Sequence, residues 1–97
     1  MLFAITHTDK PDSQALRAST REAHLAYLAC VAANIRLAGP VLNDAGQPTG
    51  SLLIVEAPDR AAAEAFAVAD PYTRSGLFAR TTIQPYREVF ADGARVG

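Results

Sequence analysis

The chain has 97 residues, with 9 Lys and Arg against 10 Asp and Glu, a net charge of -1, and 49% hydrophobic residues. That length suits one small domain spanning 1–97, and the composition is globular, which excludes a disordered chain. The balanced charge gives no basic surface for nucleic acid or an anionic membrane, so neither is expected as a partner.

No apolar run approaches the roughly 20 residues of a membrane span. Met1 leads straight into Leu2-Phe3-Ala4-Ile5 without a basic stretch before it. One cysteine, Cys30, cannot form an internal disulfide. A reducing, cytoplasmic setting is therefore the expectation.

Leu2 to Thr8 is short, apolar and partly β-branched, and it runs into Asp9-Lys10-Pro11-Asp12. This reads as a first strand and a turn. Residues 13–35 are rich in Ala, Leu, Arg and Glu and hold no Gly or Pro, so they read as helix. Ser19-Thr20-Arg21-Glu22 matches a capping box. Two readings stay open: one helix throughout, or a short turn over 13–18 before a helix that starts at Ser19.

Leu37 to Leu42 reads as a second strand. Pro40 lacks a backbone donor, so this strand belongs at a sheet edge or carries a bulge. Residues 43–50 have the composition of a hairpin loop, and Ser51 to Ala57 forms a third strand. Asp59 is a capping residue for a helix over about 60–69, which Pro71 stops. Tyr72 to Gly76 makes one helical turn. Leu77 to Phe90 holds the last strand, with Pro85 inside it or at its end.

The order β-α-β-β-α-β is the split βαβ pattern of ferredoxin-like α+β folds, a four-stranded antiparallel sheet with two helices on one face. The third strand, Leu52-Leu53-Ile54-Val55, is apolar on both faces, whereas an open face calls for alternation. A second copy of the sheet would cover it, making a homodimer. The alternative cover is the tail, 88–97.

At 3.6 residues per turn, Arg17, Arg21, His24, Leu28 and Ile35 fall near one meridian of the first helix. The stripe is apolar at its C-terminal end and cationic or titratable at its N-terminal end. Arg17 and Arg21 fit a helix end overhanging the core into solvent. His24, one turn before Leu28, fits the wall of a wet cleft, where its truncation would cost little stability. If Ser19 caps the helix, the macrodipole disfavours a charged His24, and a neutral imidazole accepts protons near pH 7. Asp70 before Pro71 is good capping chemistry. A carboxylate has acceptor sites to spare, so the same group can also orient a histidine.

Other positions carry less. His7 at the end of a strand is structural or solvated, or points into the same cleft. Cys30 lies on nearly the opposite side of the helix from His24. Gly39 permits close approach of a ligand or backbone, and Gly39-Pro40 also reads as a simple bend. Tyr72 covers either the cleft or the core. Arg74 and Ser75 offer an anion contact near a helical turn. No metal-ligand spacing, phosphate-type glycine loop or serine elbow is present, so neither a metal nor a cofactor is expected.

Several segments carry a resemblance when taken in order. They are Arg21-Glu22-Ala23-His24-Leu25-Ala26-Tyr27-Leu28, Leu37-Ala38-Gly39-Pro40-Val41-Leu42 and 48–56. They continue through Ala61-Ala62-Ala63-Glu64-Ala65-Phe66, Ala69-Asp70-Pro71-Tyr72, Gly76-Leu77-Phe78 and Ile83-Gln84-Pro85-Tyr86. Together they resemble the YCII (YciI-like) family across nearly all of 1–90. The resemblance implies a dimeric α/β barrel related to muconolactone isomerase-like proteins. It also implies an active site on a His–Asp pair, falling here on His24 and Asp70; Arg21, Gly39, Pro40 and Tyr72 are the expected substrate contacts around that pair. The family is linked to lyase chemistry, including dehydrochlorination of hydroxylated aromatics. Two departures stand out: Tyr86 occupies a position that is often Trp, and the polar loop 43–50 offers no substrate signature.

On this reading His24 is a general base, Asp70 its orienting partner, and the ligand a small enolisable or phenolic molecule. The competing reading is a non-catalytic module that binds a small molecule or serves a larger complex, because ferredoxin-like scaffolds host unrelated functions.

Overall fold

The computed structural model describes residues 1–97. Its elements are β1 (Leu2–Asp9), α1 (Gln14–Cys30), β2 (Ile35–Leu42), β3 (Pro48–Glu56), α2 (Arg60–Ala69), α3 (Pro71–Arg74) and β4 (Phe78–Tyr86). Two short strands, β5 (Phe90–Ala91) and β6 (Ala94–Arg95), pair with each other in the tail. The main sheet has the order β2-β3-β1-β4 with every pair antiparallel. This is the ferredoxin-like α+β fold. No helix is long and apolar enough to cross a membrane.

The first helix is a single element that crosses Ser19 without a break. The Ser19 hydroxyl donates back to the Leu16 carbonyl, a bond made inside a helix rather than at its start. His24 thus sits in the third turn, away from the positive end of the macrodipole, and that argument for a neutral His24 falls. The helix also stops earlier than composition indicated. It ends at Cys30, and Ala32–Asn34 form a 3₁₀ turn that leads into β2. The hairpin loop is shorter than expected, because β3 begins at Pro48.

Alternation along β1 sends Phe3, Ile5 and His7 to the helix side. Phe3 and Ile5 form the core with Leu53, Val55, Ala57, Ala63 and Ala67. Ala63 and Ala67, one turn apart on α2, let that helix lie close on the sheet. Asp59 caps α2 by accepting from the Ala62 amide at 2.8 Å.

Pro40 lies on the edge strand β2, where its missing donor costs nothing. The opposite face of the sheet is less covered. Register places Leu37, Val41 and Leu52 there, and each keeps 40–50% of its surface exposed. The tail does not close this face. Arg36 and Glu88 pair at 2.9 Å, which ties the chain after β4 to the far edge strand, yet those three side chains stay open.

Gly50 marks the tightest approach inside the sheet. A Cβ there would sit 2.3 Å from the His7 carbonyl oxygen, and neither backbone can give way. Gly50→Ala should therefore destabilise the fold by about 1–3 kcal/mol, the cost of overpacking. Chemical denaturation checks this; an unchanged midpoint would show that β1 and β3 separate more easily than their register implies.

Candidate active site

The α2 helix lies over β1 and β4, which leaves the helix side of the β2 edge without a helix of its own. A cavity of about 430 Å³ fills that gap. One wall is α1, with Arg17, Arg21, His24, Leu25 and Leu28. The other is the sheet, with Ala38, Gly39, Pro40, Ser51 and Leu53, and Tyr72 reaches in from α3. The structure thus brings Arg21, His24, Gly39, Pro40 and Tyr72 to one cavity. Asp70 sits behind His24 and does not line the space. No atom lies within 4 Å of the position a Cβ would take on Gly39, so nothing within the subunit crowds that glycine.

The His24 Nδ1 lies 2.8 Å from Asp70 Oδ1 and 3.0 Å from Oδ2. The His24 side chain keeps 12% of its surface and Asp70 only 2%. Asp70 also accepts from the Tyr72 amide at 2.9 Å, capping α3. Cap and histidine partner are one carboxylate, the double role its several acceptor sites permit. An ionised carboxylate only accepts, so Nδ1 carries the hydrogen. In a neutral ring Nε2 then holds the free lone pair.

Tyr72 joins the two ends of the α1 wall. Its ring stacks on His24 at 4.0 Å, and the Arg17 guanidinium carbon lies 4.7 Å from the same ring centre. Burial pushes the Tyr72 phenol up, and the Arg17 charge only partly counters it. Tyr72 belongs to core and cleft alike.

Arg17 overturns the expectation of a solvent overhang. It is buried, its Nε and Nη2 pair with Asp9 at 2.8 and 3.0 Å, and Nη2 also reaches the Gly50 carbonyl and Ser51 Oγ at 3.0 Å each. Burial opposes its charge, but the hydrogen bond and charge of Asp9 outweigh that and hold the guanidinium firmly protonated. Arg21 is exposed at the cavity mouth, with Glu22 only 3.9 Å away in solvent. Sequence reasoning passed over Asp9 and Ser51. The spacing from Asp9 to Arg17 crosses a turn and the first helical turn, and only the fold closes it.

His7 does not reach the cavity. It stacks flat on Phe78 at 3.8 Å, and its Nδ1 meets the Thr81 hydroxyl at 2.7 Å. Burial lowers its pKa to about 4, although the charges of Asp70 and Asp9 pull the other way. Cys30 is exposed and does not line the cavity. Ser75 caps locally by donating to the Tyr72 carbonyl, and neither it nor Arg74 lines the cavity. No three His, Cys, Asp or Glu side chains converge as a metal site would require.

Residues 1–87 match the YCII-related domain, and the chain belongs to that family. Protein YciI of Escherichia coli O6:H1 is 41% identical over 98 residues, covering 93% of this chain and all of that one. Among solved structures, 5-chloro-2-hydroxyhydroquinone dehydrochlorinase from Burkholderia phenoliruptrix AC1100, in complex with 2,5-dihydroxybenzoquinone, superposes with a TM-score of 0.84. It is 39% identical and covers 90% of this chain and 94% of its own. An antibiotic biosynthesis monooxygenase, 17% identical over 92% of this chain and 99% of its own, shares the fold at a TM-score of 0.53.

The depressed His7 value gives a pH dependence. The unfolded chain takes up a proton near 6.5 that the folded chain refuses until about 4. More protons bound by the unfolded state means stability that falls as pH drops through that window. The melting temperature should decline from pH 6.5 toward 4, and His7→Gln should flatten the slope above pH 5. Parallel curves for the two proteins would show that His7 titrates normally.

Proposed function

We propose that the chain is an enzyme in which His24 is a general base, oriented by Asp70, acting on a small hydroxylated aromatic or enolisable molecule. The observation that carries this reading is the contact of His24 Nδ1 with both Asp70 oxygens at the wall of a cavity. The relative that acts as a hydroxyhydroquinone dehydrochlorinase supports the substrate class.

Nε2 takes a proton from a ring hydroxyl, or from a carbon beside a carbonyl. The electron pair moves into the ring or onto the carbonyl oxygen. Asp70 steadies the imidazolium that forms without taking its proton. In an isomerase the imidazolium returns the proton at another atom. In a lyase a leaving group departs with its bonding pair, and the proton goes to solvent. Arg21 guards the mouth, Gly39 and Pro40 form the opposite wall, and Tyr72 backs the imidazole by stacking on it. Such a base is worth about 10²–10⁴ in rate, so positioning in the cavity must supply more.

The same reading includes a homodimer, built by closing the open sheet faces of two copies into an α/β barrel. Its support is the row of Leu37, Val41 and Leu52 left uncovered by the tail. The setting that suits the exposed Cys30 thiol is the reducing cytoplasm.

Chloride release from 5-chloro-2-hydroxyhydroquinone, within a panel of hydroxylated aromatics, is the first assay. His24→Ala should lower turnover by about 10²–10⁴. It should also cost about 1–3 kcal/mol of stability, because it strands the buried Asp70 carboxylate. This replaces the earlier expectation that truncation is nearly free. Asp70→Asn should weaken turnover at a smaller cost in stability, since Asn still caps α3. Turnover that falls only in proportion to the folded fraction would remove His24 from the chemistry.

For the dimer, sedimentation at low micromolar concentration should give twice the chain mass, and Leu52→Glu should give the monomer. A wild-type monomer would end that part of the reading.

A further inference from the structure

The chemistry proposed for His24 uses one end of the cavity and leaves a fixed charge at the other end unexplained. Arg17 precedes His24 by seven residues on α1, about 10 Å along the helix axis. Its guanidinium has five N–H donors. Nε and Nη2 are committed to Asp9, Gly50 and Ser51, the guanidinium also bonds the Tyr72 hydroxyl, and with two hydrogens on Nη1 at least one donor is left over. No nitrogen of Arg17 is both sealed from solvent and unpaired. Arg17 lines the cavity. Ser51 lines the same wall. Its Oγ accepts from Arg17, so its own hydrogen remains free to donate.

The charge of the lining is one-sided. Arg17 and Arg21 face the space, and no Asp or Glu does. Asp9 holds Arg17 from behind with two parallel bonds, which fixes the direction in which Nη1 points. Fixed donors need no reorganisation when charge develops before them.

We propose that Arg17 Nη1 and the Ser51 hydroxyl form an oxyanion subsite. The cavity then selects a small ring bearing an ionised oxygen, whose far side is presented to His24. This rests on the general-base reading for the reacting end, and it adds the recognition of charge. Arg17 and His24 lie 4.7 and 4.0 Å from the same Tyr72 ring centre and both line the cavity, so a small ring in that space can meet both. Proton removal at His24 pushes electron density toward the oxygen held at Arg17. The subsite therefore strengthens as the reaction proceeds, which is the property that raises rate rather than affinity alone.

Isothermal titration of the full chain tests this with two probes, 2,5-dihydroxybenzoquinone, which is ionised at neutral pH, and hydroquinone, which is neutral. Wild type should bind the ionised ring at least tenfold more tightly. Asp9→Asn combined with Arg17→Gln removes the ion pair without stranding a charge and should abolish the preference. Should that double variant fail to fold, Arg17→Lys keeps the Asp9 pairing but sends no second nitrogen to the cavity, and it should cut the preference at least threefold. Ser51→Ala should weaken it, and His24→Ala should leave it in place. Equal affinity for the two probes, binding of neither, or a preference undiminished in folded Arg17 variants would overturn the subsite. If the preference stands and His24→Ala keeps full turnover, the general-base reading alone fails.

Discussion

Asp70 is a carboxylate almost wholly removed from water at the junction of two helices. A buried charge of this kind persists only when its acceptor sites are filled. The Tyr72 amide fills one, because Pro71 starts α3 immediately after the carboxylate. The His24 Nδ1–H meets both of its oxygens. From this one satisfied charge much of the site follows. It fixes where α3 begins and so where the Tyr72 ring lands. It also fixes which nitrogen of His24 carries the hydrogen, and hence which one keeps a free lone pair.

A second buried pair, Arg17 with Asp9, mirrors the first two turns earlier on α1. Asp9 ends β1 and Arg17 lies in the first turns of α1, so the pair clamps the turn joining them. The Gly50 carbonyl and the Ser51 hydroxyl extend that clamp to β3. Tyr72 touches a member of each pair. The α1 wall of the cavity is thus held at two points by charge and between them by an aromatic ring. An apolar stripe alone would hold the helix on the sheet but would not hold two polar groups at a set orientation.

Much of this was legible in the chain. The element order, the edge position of Pro40, the cap at Asp59 and the two-sided apolar character of the third strand were all local signals. His24 and Asp70 emerged from stripe character and capping chemistry, and the family motifs joined them. What stayed hidden has a common cause. Ser19-Thr20-Arg21-Glu22 carries the letters of a capping box, but a helix that is already running has no free amides there to cap. Arg17 looked solvated because its partners, Asp9 and Ser51, reach it only through the β1–β3 pairing. The fate of His7 depended on Phe78, which arrives from β4 with the tightest stacking in the molecule. Contacts made across the fold leave no spacing in the sequence to read.

The proton of His24 decides which nitrogen can act as a base. If Asp70 holds Nδ1–H, the free lone pair belongs to Nε2 and faces the cavity. Long-range ¹⁵N–¹H correlation spectra of the imidazole, recorded on the wild-type protein above pH 7, report the tautomer directly. A protonated Nδ1 and an unprotonated Nε2 are expected for His24, with the assignment lost in Asp70→Asn. An Nε2–H tautomer, or the mixed pattern of a free imidazole, would contradict that assignment.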